Sequence, residues 1–228
     1  MKFFRKPLIL LALLLTAKAI SAQRSEVGFG LGTFNYTGDL ARNYNFLNSK
    51  PAATVFYRSN LSKVVSFRAG VTAGKIGASD ERPVDAFAIQ RGASFNLFLM
   101  EASTVMEYHF LNWREDRRMI RFTPYLFGGL ALFGISGAAS KPAEYSNVQG
   151  AIPFGIGFKY IYNPKWYFSL EFGARKTFFD YLDNISTGDQ DRKNYQYGNP
   201  FDNDAYYFLG LTLTHTFYDI PCPTNPYK

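Results

Sequence analysis

The sequence predicts an all-β protein: an eight-stranded antiparallel transmembrane up-and-down β-barrel in the outer membrane of a Gram-negative cell. Three observations support this prediction. Eight segments alternate apolar and polar residues, the links between them alternate in length, and the chain opens with an export signal. Aromatic residues make up 18% of the chain and mean hydropathy is −0.15, a balance that suits strands with one apolar and one polar face.

The export signal is predicted from the first 22 residues, where basic residues, an apolar run and a small-residue stretch follow one another. The apolar run is shorter than the roughly 20 residues of a membrane-spanning helix, and no later run is long enough either. We therefore predict a signal peptide at 1–22, the barrel at 23–217 and a proline-rich periplasmic tail at 218–228.

The net charge of +7 gives little support for nucleic-acid binding. Four basic residues lie in the predicted signal, so the charge of the predicted mature chain falls to +3. A basic balance indicates an acidic partner only when the charge survives processing and gathers on one face. We therefore predict no nucleic-acid partner.

The eight segments have a period of two residues, and several reach the about 9–11 residues that a tilted strand needs to cross a bilayer. The predicted strands are Glu26–Tyr36, Ala52–Arg58, Val64–Gly74, Phe95–Phe110, Phe122–Ile135, Ala151–Tyr162, Trp166–Lys176 and Tyr206–Phe217. The seventh is the clearest, with Trp166 and Phe168 on one face and Ser169 and Glu171 on the other. One face suits lipid and the other a polar lumen, although a water-soluble β-sandwich would share this pattern.

The links between strands favour the barrel. Membrane barrels keep short turns on the periplasmic side and long loops outside, and an even strand count returns both chain ends to the periplasm. The long links are Asp39–Lys50, Lys75–Ser94, Ser136–Gly150 and Thr177–Ala205, and the tight ones are Ser59–Lys63 and Asn163–Lys165. Leu111–Arg121 is the exception, because it is longer than the rule predicts for a periplasmic turn.

The lumen of an eight-stranded barrel is just wide enough for side chains to fill, so we predict a plugged barrel. Six charged residues face this lumen by parity, and buried charges persist only when they are paired or hydrogen-bonded. We interpret these residues as a structural ionic network, and a proton or ion path is the alternative interpretation. They are Arg68, Glu101, Glu107, Lys159, Glu171 and Arg175.

Candidate catalytic groups are few. We place His109 in the lumen and His215 on the lipid face near the inner rim. Residues of nucleophile and carboxylate type precede His109, but they lie on its own strand, several ångströms apart, and do not form a catalytic triad. No helix follows the glycines of 28–32, so they do not form a phosphate-binding loop, and we attribute them to backbone crowding in a narrow barrel. The aspartates of the last loop lack calcium-loop spacing. We predict no catalytic residue, no cofactor and no metal.

Two features on the predicted periplasmic side are candidate partner-binding sites. The turn that carries Arg114, Arg117, Arg118 and Arg121 is basic and suits an acidic partner, although a solvated turn is the simpler interpretation. The tail holds the only cysteine, Cys222, between two prolines. In an oxidising compartment a single cysteine indicates either an intermolecular disulfide or a free thiol.

Five strings stand out: 36–40 (YTGDL), 123–129 (TPYLFGG), 152–160 (IPFGIGFKY), 171–177 (EFGARKT) and 180–186 (DYLDNIS). Together they resemble the PorG-like barrels of type IX secretion, and the last string is the most specific. The resemblance implies an outer-membrane component of a secretion apparatus, which also serves gliding motility in some members. It would sit beside a periplasmic ring built from a lipoprotein and its soluble partner and would anchor or orient that ring. If Cys222 forms the intermolecular disulfide, this ring would be its partner.

Two functional hypotheses follow. In the first, the barrel is a non-catalytic anchor, embedded in outer-membrane lipids, whose tail and basic turn engage a periplasmic ring. In the second, it is a stand-alone small barrel whose long outer loops bind surface ligands. A lipid-modifying enzyme that uses His215 is a more distant third hypothesis. Such an enzyme needs its site at the outer rim, whereas His215 is predicted at the inner rim.

Overall fold

The computed structural model describes residues 25–37, 44, 46–79, 94–112, 120–136, 148–163, 165–178 and 205–217. They form a closed barrel of eight antiparallel strands in which each strand pairs with its neighbours in sequence and β8 pairs with β1. The strands are β1 (Ser25–Thr37), β2 (Lys50–Ser59), β3 (Val65–Ser79), β4 (Ser94–His109), β5 (Phe122–Ser136), β6 (Val148–Ile161), β7 (Trp166–Thr177) and β8 (Ala205–Phe217). The predicted fold class is confirmed.

Most observed strands are longer than the predicted ones. β3 continues past its predicted end at Gly74, because its pairing with β4 runs on to Ala78↔Phe95 and Ser79↔Ser94. β2 likewise begins at Lys50, opposite Phe34 of β1. Cross-strand hydrogen bonds therefore extend the sheet beyond the region where apolar and polar residues alternate in the sequence.

Both ends of the barrel sheet lie at the same rim, which we call the inner rim. Ser25 pairs with Phe217 there, and the two tight turns close at the same end. Ser62 Oγ accepts a hydrogen bond from the backbone N–H of Val65 at 2.9 Å, and Asn163 Oδ1 accepts one from Trp166 at 2.8 Å. These side-chain-to-backbone bonds fix the short turns that set the strand register.

Side chains alternate between lumen and outer wall along the strands. In β7, Tyr167 and Glu171 are buried while Phe168 and Leu170 are each 48% exposed. Large apolar side chains are exposed on the wall of every strand, up to 68% for Leu130. Such a wall is stable only in hydrocarbon, and a closed sheet leaves no unpaired edge there, so this is an outer-membrane barrel. No helix in the described ranges is long and apolar enough to span a membrane.

The outer half of the lumen is filled by an apolar cluster that we call the outer plug. Phe34 packs edge-to-face against Tyr206 and Phe208, with ring centroids 5.7 Å apart in both pairs, and Phe133 packs against Tyr206 at 5.6 Å. Edge-to-face packing of aromatic rings fills space and adds attraction beyond area burial. The plug comprises Phe34, Tyr36, Ala52, Ile76, Ala78, Leu97, Leu99, Ala131, Phe133, Ile135, Ala151, Tyr206 and Phe208.

Lumen-facing glycines make room for large rings on the adjacent strand. Gly28 lies opposite Phe56 and Gly157 opposite Tyr125 in the sheet register. A Cβ atom added to Gly28 would lie 2.2 Å from Phe56 Cζ, and one added to Gly157 would lie 2.1 Å from Tyr125 Cζ. Of the glycines at 28–32, for which the sequence predicts backbone crowding, Gly28 instead makes room for a ring, whereas a Cβ atom at Gly32 would meet the backbone of β8.

This pairing predicts that Gly157→Ala destabilises the barrel. The new methyl group would displace the Tyr125 ring and its hydrogen bond to Glu171, so we expect a loss of about 1–3 kcal/mol in the free energy of unfolding. Urea unfolding in lipid vesicles would measure it. Gly150→Ala, on the same strand, is the matched control, because a Cβ there meets nothing within 4 Å. Equal stability of the two variants would contradict the prediction.

Candidate functional site

Charged side chains line the inner half of the lumen and form a continuous alternating chain. Arg58 Nη1 lies 2.8 Å from Glu26 Oε2, and Arg58 Nη2 donates a hydrogen bond to Glu107 Oε1 at 3.0 Å. Arg68 Nε lies 3.0 Å from the same Glu107 oxygen, and Arg68 Nη1 lies 2.5 Å from Glu171 Oε2. The chain from Glu26 to Glu171 therefore connects β1, β2, β4, β3 and β7 across the lumen.

Within this chain, the Glu107 carboxylate lies between two arginine side chains. Arg58 and Arg68 stand directly opposite each other on β2 and β3, where two like charges repel. The Glu107 carboxylate, which is 1% exposed, reaches both guanidinium groups from β4. One buried anion thus offsets the repulsion between two neighbouring cations.

Aromatic rings surround the guanidinium groups. Arg68 lies 5.2 Å from the ring centroids of both Phe56 and Phe127, and Arg58 lies 4.9 Å from the Phe56 centroid. A guanidinium group is attracted to an aromatic face and is less strongly hydrated than an ammonium group. The rings therefore allow these arginines to lose water at lower cost and also fill the space around them.

A second ion pair lies between this chain and the outer plug. Arg175 Nε lies 3.2 Å from Glu101 Oε2, which also accepts a hydrogen bond from the Tyr206 hydroxyl at 2.7 Å. Arg175 Nη1 donates to the backbone carbonyl of Gly173 at 2.8 Å. Because Tyr206 belongs to the outer plug, this pair joins the polar and apolar halves of the lumen.

The buried charges balance. Among the described residues, the lumen holds four buried cations and four buried anions, with Lys159 Nζ 3.5 Å from Glu26 Oε2. Moving an uncompensated charge out of water costs several kcal/mol, so a neutral set is the arrangement that a filled lumen tolerates. The set is Arg58, Arg68, Lys159 and Arg175 with Glu26, Glu101, Glu107 and Glu171.

All six charged residues that parity assigns to the lumen lie there in ion pairs, and two residues outside the predicted network, Glu26 and Arg58, join them. Glu26 is two residues before Gly28 and therefore shares the lumen-facing parity of the glycines at 28–32. Arg58 follows the run Val55–Tyr57, where apolar residues occupy both faces. Its parity with the lumen-facing Thr54 was the one available signal, and the local pattern obscured it.

His109 is buried in the lumen beside groups of catalytic type. Its Nε2 atom lies 3.3 Å from Ser66 Oγ and 3.4 Å from Glu107 Oε2. In a nucleophile–base–acid triad the serine and the carboxylate contact different ring nitrogens, whereas both contact the same nitrogen here. Ser66 Oγ also donates to Asn60 Oδ1 at 2.8 Å. The three side chains are each at most 1% exposed, so this group lacks both the geometry and the access of a triad.

His215 lies on the outer wall at the inner rim. Its ring packs edge-to-face against Trp166 at 4.6 Å and Phe217 at 4.9 Å. Aromatic and amphipathic rings gather at the level of lipid headgroups in membrane proteins. His215 therefore belongs to the aromatic belt of the inner rim, as its position near the strand end predicted.

The candidate partner-binding residues are described only in part. Arg121 is described, and its backbone carbonyl accepts a hydrogen bond from Ile161 at 2.7 Å, which holds the end of its turn against β6. Cys222 and the string 180–186 lie outside the described residues, as do three arginines of the basic turn: Arg114, Arg117 and Arg118. Among the described residues, no group of histidine, cysteine and carboxylate side chains is placed to hold a metal ion.

Comparison with solved structures finds the same fold in small outer-membrane barrels. Neisserial surface protein A is 13% identical, with a TM-score of 0.50, 85% of this chain covered and 97% of that chain. OprG of Pseudomonas aeruginosa is 8% identical (TM-score 0.46; 87% and 97% covered), and the outer membrane enzyme PagL is 10% identical (TM-score 0.37; 83% and 98% covered). At these identities the likeness concerns the fold alone.

Comparison of sequences matches one family model and no curated protein. A family model described as a domain of unknown function, DUF6089, matches residues 5–225, which is nearly the whole sequence. The chain therefore belongs to the DUF6089 family.

Proposed function

We propose that this barrel is a non-catalytic anchor in the outer membrane and a component of a type IX protein secretion apparatus, which also serves gliding motility in some cells. The observation that supports an anchor is the filled lumen, with ion pairs in its inner half and the outer plug above them. A filled interior offers no passage for a substrate, so the barrel acts through its rims and its wall. The assignment to type IX secretion rests on the resemblance to PorG-like barrels.

The proposed partners are a periplasmic ring lipoprotein and its soluble partner. The inner rim is the end that faces them, because β8 ends there at Phe217 and the eleven residues 218–228 follow. The basic turn that ends at Arg121 leaves the barrel at the same rim. A basic turn steers an acidic surface toward the rim, and Cys222 on the tail then supplies a covalent contact.

The first test removes the tail. Deletion of Pro221–Lys228 should impair secretion while the barrel still assembles, because the anchor would lose its contact with the ring. Export of a reporter substrate into the medium measures this. Trimming the outer loop between Thr177 and Ala205 is the control and should leave secretion intact. The reverse pair of results would contradict the anchor and favour a stand-alone barrel that binds surface ligands.

Cys222→Ser separates covalent from non-covalent contact with the ring. On non-reducing gels of outer membranes, the wild-type chain should migrate as a larger adduct that dithiothreitol releases. The variant should migrate as a monomer in both conditions. Identical mobilities of wild type and variant without reductant would exclude the disulfide and leave the basic turn as the proposed contact.

A closed lumen predicts that Arg175→Leu lowers stability without opening a pore. The change leaves Glu101 buried with Tyr206 as its remaining polar contact, and breaking a buried pair in this way costs about 3–5 kcal/mol. Unfolding in vesicles measures the loss, and planar bilayers measure conductance. Lys75→Leu, at an exposed wall-facing position on β3, is the control and should retain wild-type stability. Stepwise conductance of the purified wild-type barrel would overturn the closed-lumen account.

A further inference from the structure

Part of the first outer loop lies on the outside of the barrel wall. The Tyr44 ring packs edge-to-face against Phe172 at 5.8 Å and Tyr207 at 5.5 Å, and both partners occupy wall-facing positions on β7 and β8. Asn35, at a wall-facing position on β1, is only 1% exposed, and its Nδ2 donates a hydrogen bond to Ser49 Oγ at 3.1 Å. The loop therefore folds down over β7, β8 and β1 at this point.

Local contacts hold this part of the loop in one shape. Residues 46–48 form a 3₁₀ turn, and the backbone N–H of Ser49 donates to the carbonyl of Phe46 at 3.2 Å. The Phe46 ring packs edge-to-face against Tyr44 at 5.0 Å, while Phe172 and Tyr207 stack beneath at 5.8 Å. We refer to Tyr44 and residues 46–49 as the loop wedge.

The loop wedge points two large apolar side chains away from the protein. Phe46 and Leu47 are each 71% exposed, more than any other large apolar side chain among the described residues. Exposed apolar groups of this size are unfavourable in water. Because these two side chains lie beside the lipid-facing wall, the height of the wedge along the barrel decides whether they meet water or lipid.

The wedge lies near the outer edge of the membrane's apolar band. Phe172 pairs with Leu209, eight residues before the inner-rim end of β8 at Phe217, and Tyr207 lies ten residues before it. With a rise of about 3.3 Å per residue and a tilt of about 45°, these positions lie about 19–23 Å above the inner end of β8, and the apolar band of such barrels is about 25 Å tall. The wedge therefore packs at the level of the outer leaflet.

We propose that the loop wedge is a lipid-binding element that inserts Phe46 and Leu47 among the acyl chains of the outer leaflet. The Tyr44 cluster and the Asn35–Ser49 hydrogen bond hold it against the wall, so the two side chains enter lipid without a free loop having to order first. Insertion extends the apolar wall sideways over β7, β8 and β1. The loop wedge then adds to the contact between the barrel and the outer leaflet.

Tryptophan fluorescence tests the proposal in the full barrel. The two native tryptophans, Trp113 and Trp166, are replaced by phenylalanine, and Phe46→Trp provides a single probe. The barrel is reconstituted into phosphatidylcholine vesicles with either brominated acyl chains or iodide on both sides of the membrane. Leu211→Trp on the outer wall is the lipid reference, and Leu61→Trp in the tight β2–β3 turn is the aqueous reference.

We expect brominated lipid to quench Phe46→Trp to within about twofold of Leu211→Trp, because both probes would contact acyl chains. Iodide should quench it several-fold less than Leu61→Trp, and its emission should lie at shorter wavelength. A probe that iodide quenches as strongly as Leu61→Trp, without quenching by brominated lipid, would place the wedge in water and overturn the proposal. Leu47→Trp repeats the test, so a folding defect in one variant does not decide the outcome.

Discussion

The barrel depends on compensation of charge among side chains that are buried in its lumen. Arg58 and Arg68 face each other across β2 and β3, and Glu107 from β4 lies between their guanidinium groups. Glu26 and Glu171 complete the chain on either side, so strands far apart in sequence are joined through one set of ion pairs. Without this compensation each of these groups would oppose closure of the sheet.

Large aromatic side chains fill further space in the lumen where the opposite residue is a glycine, which has no side chain of its own. Phe56 occupies the space over Gly28, and Tyr125 occupies the space over Gly157. The same two side chains also contact the charged groups. The Phe56 ring lies against both Arg58 and Arg68, and the Tyr125 hydroxyl donates a hydrogen bond to Glu171 at 3.2 Å. Packing and electrostatics are therefore coupled, and the sealed interior that supports the proposed anchor role is a product of both.

The sequence predicted the fold and much of the lumen, because a period of two residues assigns each side chain to a face. Glu171 and Arg175 are lumen-facing in β7 for this reason. Prediction failed where that signal is absent. Arg58 follows three consecutive apolar residues, and the packing of Tyr44 on Phe172 and Tyr207 joins segments that are distant in the chain and have no local periodicity. Contacts with partners also leave no periodic pattern in the sequence. For these contacts the sequence offers other signals: the positive charge of one turn, the cysteine Cys222 and the resemblance to PorG-like barrels.

A double-mutant cycle on Arg58 and Glu107 tests the central claim of charge compensation most directly. Arg58→Met and Glu107→Gln each leave one uncompensated charge in the lumen, whereas the double variant is again neutral. We expect the free energies of unfolding in vesicles to be non-additive, with the double variant at least about 2 kcal/mol more stable than the sum of the single losses predicts. Additive losses would show that Arg58 and Glu107 do not compensate each other in the lumen and would contradict the account.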